Sequence, residues 1–205
     1  TGAGNFTLTT QNCFKGSSCG NLTNLVAGAT ADVTAVYNDN LSAQTLVNQR
    51  MYLKHDCNNP VDSGSTTYLA GFAGSSATQV LARMGFSTQG LFSCEVQNAS
   101  GTFVNCATGS FKNLTCDQWY YAEMHYDYAT SNFTCYLNGS SICSLTNHTF
   151  LNNVSIEAIG ILPGSSVDAN ASLYFDEYRS STGYIGGYPW IQNETTSPVY
   201  ITAGS

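Results

Sequence analysis

The sequence predicts an all-β protein, built as a two-sheet antiparallel β-sandwich and stapled by disulfides. Helical periodicity is nearly absent, and its one candidate, Thr78 to Met84, is too short to count as a helix. Runs rich in Val, Tyr, Phe, Thr and Ile recur roughly every 8–15 residues, between clusters of Gly, Ser and Asn. The chain also carries eight cysteines, an even number.

Each apolar run bounded by turn residues predicts one strand. In chain order the predicted strands are 5–10, 30–37, 49–54, 67–72, 79–86, 91–96, 102–107, 119–128, 132–137, 154–162 and 171–179. Two turn signals, Asn98-Ala-Ser-Gly and Asn138-Gly139, predict hairpins between neighbouring strands.

The length of 205 residues suits one sandwich, so residues 1–205 are predicted to form a single domain. Its ends, 1–12 and 184–205, read as strand-like extensions. No apolar run approaches the ~20 residues of a membrane span, so we expect a mature, processed chain. The end at Ala203-Gly204-Ser205 fits either a trimmed anchor site or an ordinary terminus.

Charge is scarce in this sequence. Charged residues make up 9% of the chain, against roughly 25% in ordinary domains, and the formal net charge is −7. The six basic residues are scattered along the sequence, which predicts neither nucleic acid nor an anionic membrane as a partner.

The cysteines lack Cys-x-x-Cys spacing and zinc-ligand histidines, which favours disulfides in an oxidising, extracellular compartment over buried free thiols. Pairing does not follow from sequence alone. The hairpin turns suggest Cys94 with Cys106 and Cys135 with Cys143, because a hairpin places such residues opposite each other. A small loop closed by Cys13 and Cys19 would leave Cys57 and Cys116 as a long-range bridge.

The N-glycosylation motif Asn-x-Ser/Thr recurs along the whole chain. It occurs at Asn5, Asn21, Asn98, Asn113, Asn132, Asn138, Asn147, Asn153, Asn170 and Asn193. We therefore expect a glycan-coated surface, which would also explain how few charges keep the protein soluble.

The segment after Trp119 separates cleanly into two faces when it is read with the period of a strand. Ala122, Met124 and Tyr126 share one face, which we expect in the core. The residues predicted on the opposite face are Trp119, Tyr121, Glu123, His125 and Asp127.

Four segments from this half of the chain carry a family resemblance: Asp117 to Asp127, Phe133 to Gly139, Ile159-Gly-Ile161 and Leu173 to Arg179. They resemble the C-terminal half of a laminin-G-like, concanavalin A-like lectin jelly roll. The resemblance implies a sandwich with a concave face. It also implies a binding module for carbohydrate or protein, or less often a glycan-active enzyme.

The sequence contains little that supports a catalytic function. Glycosidases of this fold need two carboxylates about 5 Å apart, usually as Glu-x-Asp-x-Glu, and that motif is missing. The nearest arrangement is Glu123-x-His125-x-Asp127, which reads as a ligand-binding trio or a solvated face. The adjacent Asp176 and Glu177 point to opposite faces and are predicted to be structural.

No cofactor and no metal site are predicted. Some relatives of the resembled family bind calcium in an acidic loop, whereas Asp56, Asp62 and Asp168 stand isolated here. Binding of a sugar would use Trp119, Tyr121, Glu123 and His125, with the rings stacking on pyranose faces. Trp190, in a Gly/Pro-rich tail, is predicted to dock on its own domain or a neighbour.

Two non-enzymatic functions remain. The favoured one is a glycosylated structural subunit of a cell-surface fibre, filament or coat, in which copies join head to tail by strand addition. Either 5–10 or 198–203 would be the added strand. The alternative is a lectin-like adhesion module that recognises extracellular glycans or a protein.

Overall fold

The computed structural model describes residues 5–11, 13–23, 34–57, 66–76, 79–87, 91–106, 112–162, 165, 171–182 and 185. Across these ranges every regular element is a β-strand, and all pairings are antiparallel. Within the described ranges, no helix is long and apolar enough to cross a membrane.

Two sheets face each other. In spatial order, sheet A contains β1 (Asn5–Thr9), β2 (Cys19–Thr23), β14 (Leu173–Ser181), β4 (Leu46–His55), β10 (Tyr120–Asp127), β11 (Asn132–Leu137) and β12 (Ser140–Leu145). Sheet B contains β3 (Thr34–Gln44), β13 (Val154–Ile161), β5 (Thr66–Ala73), β6 (Val80–Ser87), β7 (Leu91–Gln97) and β8 (Phe103–Asn105), and β9 (Lys112–Asn113) also pairs with β7. The predicted fold class is confirmed.

The core lies between the sheets and follows the two-residue period of the strands. Ala122, Met124 and Tyr126 of β10 are fully buried in it, as the sequence predicts. They pack in one cluster with residues of sheet B such as Phe72 and Phe86. Burial of this continuous apolar layer is the main favourable contribution to folding.

Three strands were missed by the sequence analysis: β2, β9 and β12. Their sequences, Cys-Gly-Asn-Leu-Thr, Lys-Asn and Ser-Ser-Ile-Cys-Ser-Leu, are short or rich in small polar residues, which usually indicate turns. Pairing with a neighbouring strand holds each of them in place. The predicted hairpin at Asn138-Gly139 is correct, and both residues adopt the positive φ of a two-residue turn, 49° and 77°.

All eight cysteines form disulfides, and the predicted pairs Cys13–Cys19 and Cys57–Cys116 are correct. The two predicted hairpin bridges, Cys94–Cys106 and Cys135–Cys143, are wrong. The bonds instead join Cys94 to Cys135 and Cys106 to Cys143, with Cα separations of 6.6 and 5.5 Å.

The hairpin geometry behind the wrong prediction is nevertheless present. Cys135 lies opposite Cys143 in the register, and the Cys106 N–H donates to the Cys94 carbonyl oxygen at 3.0 Å. All four side chains are buried between the sheets. Each thiol therefore has one neighbour in its own hairpin and one on the opposite sheet, and the bridges staple sheet A to sheet B.

One irregularity in β14 decides which side chains reach each face. Asp176 lies opposite Tyr52, and Arg179 lies opposite Arg50. Over this stretch β14 therefore advances by three residues while β4 advances by two. The additional residue is accommodated at Glu177, whose φ is +48°. This is a β-bulge, and it reverses the alternation of side chains beyond it.

The bulge directs two hydroxyls toward the opposite sheet. The Tyr178 hydroxyl donates to Glu157 Oε2 at 2.8 Å, and the Ser180 hydroxyl donates to Glu157 Oε1. Gln49 joins this network by donating from Nε2 to the Tyr178 hydroxyl oxygen at 3.1 Å. A buried carboxylate on sheet B thus fixes the shifted end of β14 on sheet A, since an unsatisfied buried carboxylate is costly.

The disulfide pairing is testable by non-reducing peptide mapping. Chymotryptic cleavage after Phe103 and Tyr136 separates Cys94 from Cys106 and Cys135 from Cys143. We expect the linked peptides Cys94–Cys135 and Cys106–Cys143 in the mass spectrum. A Cys94–Cys106 peptide would contradict the cross-sheet arrangement.

Replacing Cys94 and Cys135 together by Ala should lower the free energy of unfolding by roughly 2–4 kcal/mol.

Candidate functional site

The candidate site is the outer face of sheet A, where β14, β4 and β10 lie side by side. Their outward side chains form rows across the strands, as the register shows. The first full row is Asp176, Tyr52 and Tyr121; the second is Arg179, Arg50 and Glu123; the third is Ser181, Asn48 and His125.

An aromatic cluster covers one end of this face, and we call it the aromatic platform: Phe14, Tyr52, Trp119 and Tyr121. The ring of Phe14 stacks on that of Tyr52, with centroids 3.8 Å apart and planes 16° apart. Trp119 meets Phe14 edge-on at 6.0 Å, and Tyr121 lies 5.7 Å from Tyr52. Phe14 is the outermost ring of the stack, and 39% of it is exposed.

Phe14 is held in place by the loop that carries it. The Cys13–Cys19 disulfide closes this loop. Asp176 Oδ2 accepts hydrogen bonds from the backbone N–H groups of Phe14 and Lys15, at 3.1 and 3.0 Å. Burial raises the pKa of the Asp176 carboxyl, although these hydrogen bonds oppose the shift. The loop is therefore anchored covalently at its base and by a carboxylate under its tip.

Lys54 supports the platform from below. Its ammonium lies 4.6 Å from the ring centroid of Tyr174 and 5.6 Å from that of Trp119. The Asp117 carboxylate lies 3.9 Å away, at a residue whose φ is +58°. Lys54 is only 4% exposed, so this cation is held between two rings as a structural element of the site.

The centre of the face is covered. Arg50 and Glu123, directly opposite each other on β4 and β10, are 2% and 1% exposed. Glu123 Oε1 accepts a hydrogen bond from the Ile185 N–H at 3.1 Å. The prediction of a solvated face is thus wrong at Glu123, which is buried and hydrogen-bonded to Ile185, a residue beyond the end of β14.

His125 lies at the far end of the face. Its Nδ1 is 2.6 Å from the side-chain oxygen of Asn48. Burial lowers the pKa of the imidazole, and the Asp127 carboxylate opposes part of that shift. Burial would raise the pKa of Asp127 itself, but hydrogen bonds from Thr130 outweigh it, so the pKa is lowered.

The four predicted ligand-binding residues share this face but do not form one site. Trp119 and Tyr121 belong to the platform, Glu123 lies in the covered centre, and His125 lies beyond it. The sequence analysis missed Phe14, although the predicted Cys13–Cys19 loop was a usable signal. Trp190 lies outside the described residues.

The spacing of the carboxylates on this face can be compared with the spacing that a glycosidase needs. Glu123 and Asp127 lie four residues apart on one strand, which is about 13 Å and longer than the spacing of either glycosidase mechanism. Among the residues that the structure describes, no group of three His, Cys, Asp or Glu side chains is placed to hold a metal ion.

Several glycosylation motifs can be placed. Asn138 and Asn147 are exposed in turns with positive φ, whereas Asn21 and Asn153 are half-buried with their side-chain oxygens fully enclosed. A further motif, Asn40-Leu41-Ser42, was missed by the sequence analysis and lies on β3.

No protein-family model matches the chain, and neither does any curated protein. Among solved structures the chain resembles the cellulose-induced protein Cip1, with a TM-score of 0.64 and 13% sequence identity over 90% of this chain and 88% of that one. It also resembles the binding domain of botulinum neurotoxin serotype D (TM-score 0.57, 9% identity) and that of Paraclostridial Mosquitocidal Protein 1 (0.58, 13%).

The match covers 90% and 91% of this chain against these two toxin domains but only 44% of each of them, so the chain spans less than half their length. A further structure of the serotype D domain is described as a complex with N-acetylneuraminic acid. At these identities the likeness shows the fold alone, a two-sheet β-sandwich. The narrower laminin-G-like resemblance stays a prediction.

We expect glycans at Asn138 and Asn147, because both residues are exposed and lie in turns. We expect none at Asn21 and Asn153, because each residue is half-buried and its enclosed amide oxygen leaves little room for a glycan on the neighbouring Nδ2. Enzymatic deglycosylation in heavy-oxygen water, followed by mass spectrometry of the native protein, measures each site. Full occupancy at Asn21 together with bare Asn138 would contradict this reading of the surface.

His125 should make stability depend on pH. The groups facing its ring are Asp127 on its own strand, Asn48 on β4 and Thr134 on β11. Because its pKa is lowered in the folded protein, the unfolded chain binds the proton more readily. The imidazole therefore contributes stability above its ordinary pKa of 6.5, and this is lost as the pH falls below it.

The measurement is chemical denaturation of the wild type and the His125→Gln variant at pH 7.5 and pH 5.0. Gln can still donate to Asn48 but does not titrate. We expect the wild type to lose more stability than the variant across this interval. Equal losses of stability in the wild type and the variant would show that His125 titrates alike in the folded and the unfolded protein.

Proposed function

We propose that this chain is an extracellular, N-glycosylated, non-enzymatic module that binds carbohydrate on the aromatic platform. The observation that carries the proposal is the exposed ring of Phe14, held rigidly on Tyr52 beside Trp119. An aromatic ring presents a flat apolar surface to the C–H face of a pyranose. Four disulfides and a fold shared with binding domains support an extracellular binding role.

Rigidity supports the same conclusion. Phe14 is fixed by the Cys13–Cys19 bond and by two hydrogen bonds to Asp176, so little side-chain or loop freedom is lost when a ligand stacks on it. A polar group borders the platform, the exposed side chain of Gln118 next to Trp119. It can exchange hydrogen bonds with sugar hydroxyls.

The proposal keeps the predicted single domain, residues 1–205. Within the predicted N-terminal extension, 1–12, β1 is an edge strand of sheet A, and the loop after it carries Phe14. The C-terminal extension, 184–205, lies outside the described residues except for Ile185.

A glycan array tests the binding function. We expect the wild type to bind at least one class of glycan and Phe14→Ala to weaken that binding by roughly tenfold or more, because the stacking surface is removed. Trp119→Ala should act in the same direction. Tyr128→Ala is the matched control, since Tyr128 is also 39% exposed but stacks against Phe150, away from the platform. A signal that Phe14→Ala and Tyr128→Ala reduce equally would contradict the assignment.

A second function, self-assembly into a filament or coat, is favoured by the edges of sheet A. Its edge strands are β1 and β12, and neither contains a charged residue or a proline, the usual protection against pairing. Leu8 on β1 is 61% exposed. Head-to-tail pairing of β1 with β12 of another copy would continue the sheet from subunit to subunit. The alternative donor strand, 198–203, lies outside the described residues.

Electron microscopy of the native protein tests assembly. We expect filaments from the wild type and from Leu8→Thr, which keeps a neutral strand-forming residue. Leu8→Lys should abolish them, because a charge at the edge opposes pairing. Discrete monomers in all three samples would rule out assembly through this edge.

A further inference from the structure

We propose that the first sugars of an N-glycan on Asn138 pack against Tyr121 at the edge of the aromatic platform, and that this glycan limits which carbohydrates reach Phe14. The inference rests on the proposed carbohydrate-binding function and adds a control of access to the same site. It comes from the place that the fold gives to one glycosylation motif, Asn138-Gly139-Ser140.

The side chain of Asn138 is held against β10, the strand that carries Tyr121. The Tyr121 N–H donates to Asn138 Oδ1 at 3.1 Å, and the Asn138 N–H donates to the Tyr121 carbonyl oxygen at 2.9 Å. Asn138 is exposed, so its Nδ2 can receive a glycan. Because the glycan is attached to the nitrogen, Oδ1 keeps its hydrogen bond in the glycosylated protein.

These two hydrogen bonds fix the point at which the glycan begins. The bond lengths of an amide place its nitrogen about 2.2 Å from its oxygen. Asn138 Nδ2 therefore lies within roughly 5–6 Å of the Tyr121 backbone nitrogen. The first sugar is bonded directly to this nitrogen, so the glycan starts beside the platform whatever conformation its outer branches adopt.

The ring of Tyr121 connects the platform to the turn that carries the motif. On one side its centroid lies 5.7 Å from that of Tyr52, on which Phe14 stacks. On the other side its hydroxyl lies so close to Gly139 that a side chain at that position would collide with it. Gly139 has a φ of +77°, which also favours glycine. Tyr121 thus extends from the stacked rings to the residue next to Asn138.

A glycan in this position competes with an external carbohydrate. Tyr121 is partly exposed, and its ring offers an apolar surface to the C–H face of the first sugars. This contact is intramolecular, so it forms at a high effective concentration. An external ligand reaches the platform only while the glycan is turned away, and its apparent affinity is reduced by the fraction of time for which the platform is open.

The motif Asn147-His148-Thr149 provides the comparison, because it lies at the opposite end of β10. The His148 N–H donates to the carbonyl oxygen of Ser131, in the turn between β10 and β11, at 2.9 Å. That turn follows the end of β10, six residues and about 20 Å along the strand from Tyr121. A glycan on Asn147 therefore begins far from the platform.

Single substitutions isolate the effect of the Asn138 glycan. Ser140→Ala removes the motif but keeps Asn138 and both of its hydrogen bonds to Tyr121, whereas Ser140→Thr keeps the motif. Thr149→Ala removes the Asn147 motif instead. Ser140 and Thr149 are both exposed, so we expect the three variants to fold like the wild type.

Hydroxyl-radical footprinting with mass spectrometry measures access to Tyr121 in these proteins, each produced in a host that attaches N-glycans. We expect the oxidation of Tyr121 to rise severalfold in Ser140→Ala and to stay at the wild-type level in Ser140→Thr and Thr149→Ala. On the glycan array, Ser140→Ala should bind the glycans that the wild type recognises about threefold more tightly, as for a platform that is open about one third of the time. Adding Phe14→Ala should remove this gain.

The footprint does not depend on a ligand, so it separates the inference from the function beneath it. A bare Asn138 in the native protein, or equal oxidation of Tyr121 in the wild type and Ser140→Ala, would overturn the inference and leave the carbohydrate site standing. A gain in Thr149→Ala as large as that in Ser140→Ala would overturn the assignment to Asn138. An array that is empty for every variant would overturn the proposed function, and the control of access with it.

Discussion

The single additional residue at the β14 bulge is the constraint on which the candidate site depends. Before the bulge, Asp176 points outward and holds the loop that presents Phe14. Beyond it, Tyr178 and Ser180 point inward and bind Glu157, a buried carboxylate on the opposite sheet. Without the shift of one residue, two hydroxyls would face outward, and Arg179 would face the core, where its unpaired charge would be very costly.

The site is built from the inside outward. Core hydrogen bonds fix the course of β14, β14 orients Asp176, and Asp176 with the Cys13–Cys19 bond fixes the loop. The stack of Phe14 on Tyr52 is the outermost contact in this series, and it depends on all the contacts beneath it. A surface ordered in this way has already lost the conformational entropy that a flexible loop would lose on binding, so it can bind a weakly interacting ligand such as a sugar.

The disulfides divide between two roles. Cys94–Cys135 and Cys106–Cys143 join the two sheets, and they lie in the same buried cluster as Met84 and Phe133. Cys13–Cys19 instead closes a surface loop near the edge of sheet A and has a direct consequence for the platform. Two bridges thus stabilise the sandwich, while another shapes the surface through which it is proposed to act.

The sequence by itself determined the β-sandwich class and the alternation of β10, because strand periodicity is a local signal. It suggested the short-range pair 13–19, and the correct pair 57–116 followed only as the cysteines left over. Only the tertiary structure decided the remaining two bridges, since four inward thiols meet between the sheets and each has two neighbours within reach. The bulge at Glu177 also could not be predicted from the local sequence pattern, because an additional residue is recognised only when β14 is aligned with β4. For the same reason, Arg50 and Arg179, far apart in the sequence, became neighbours only when β14 was paired with β4.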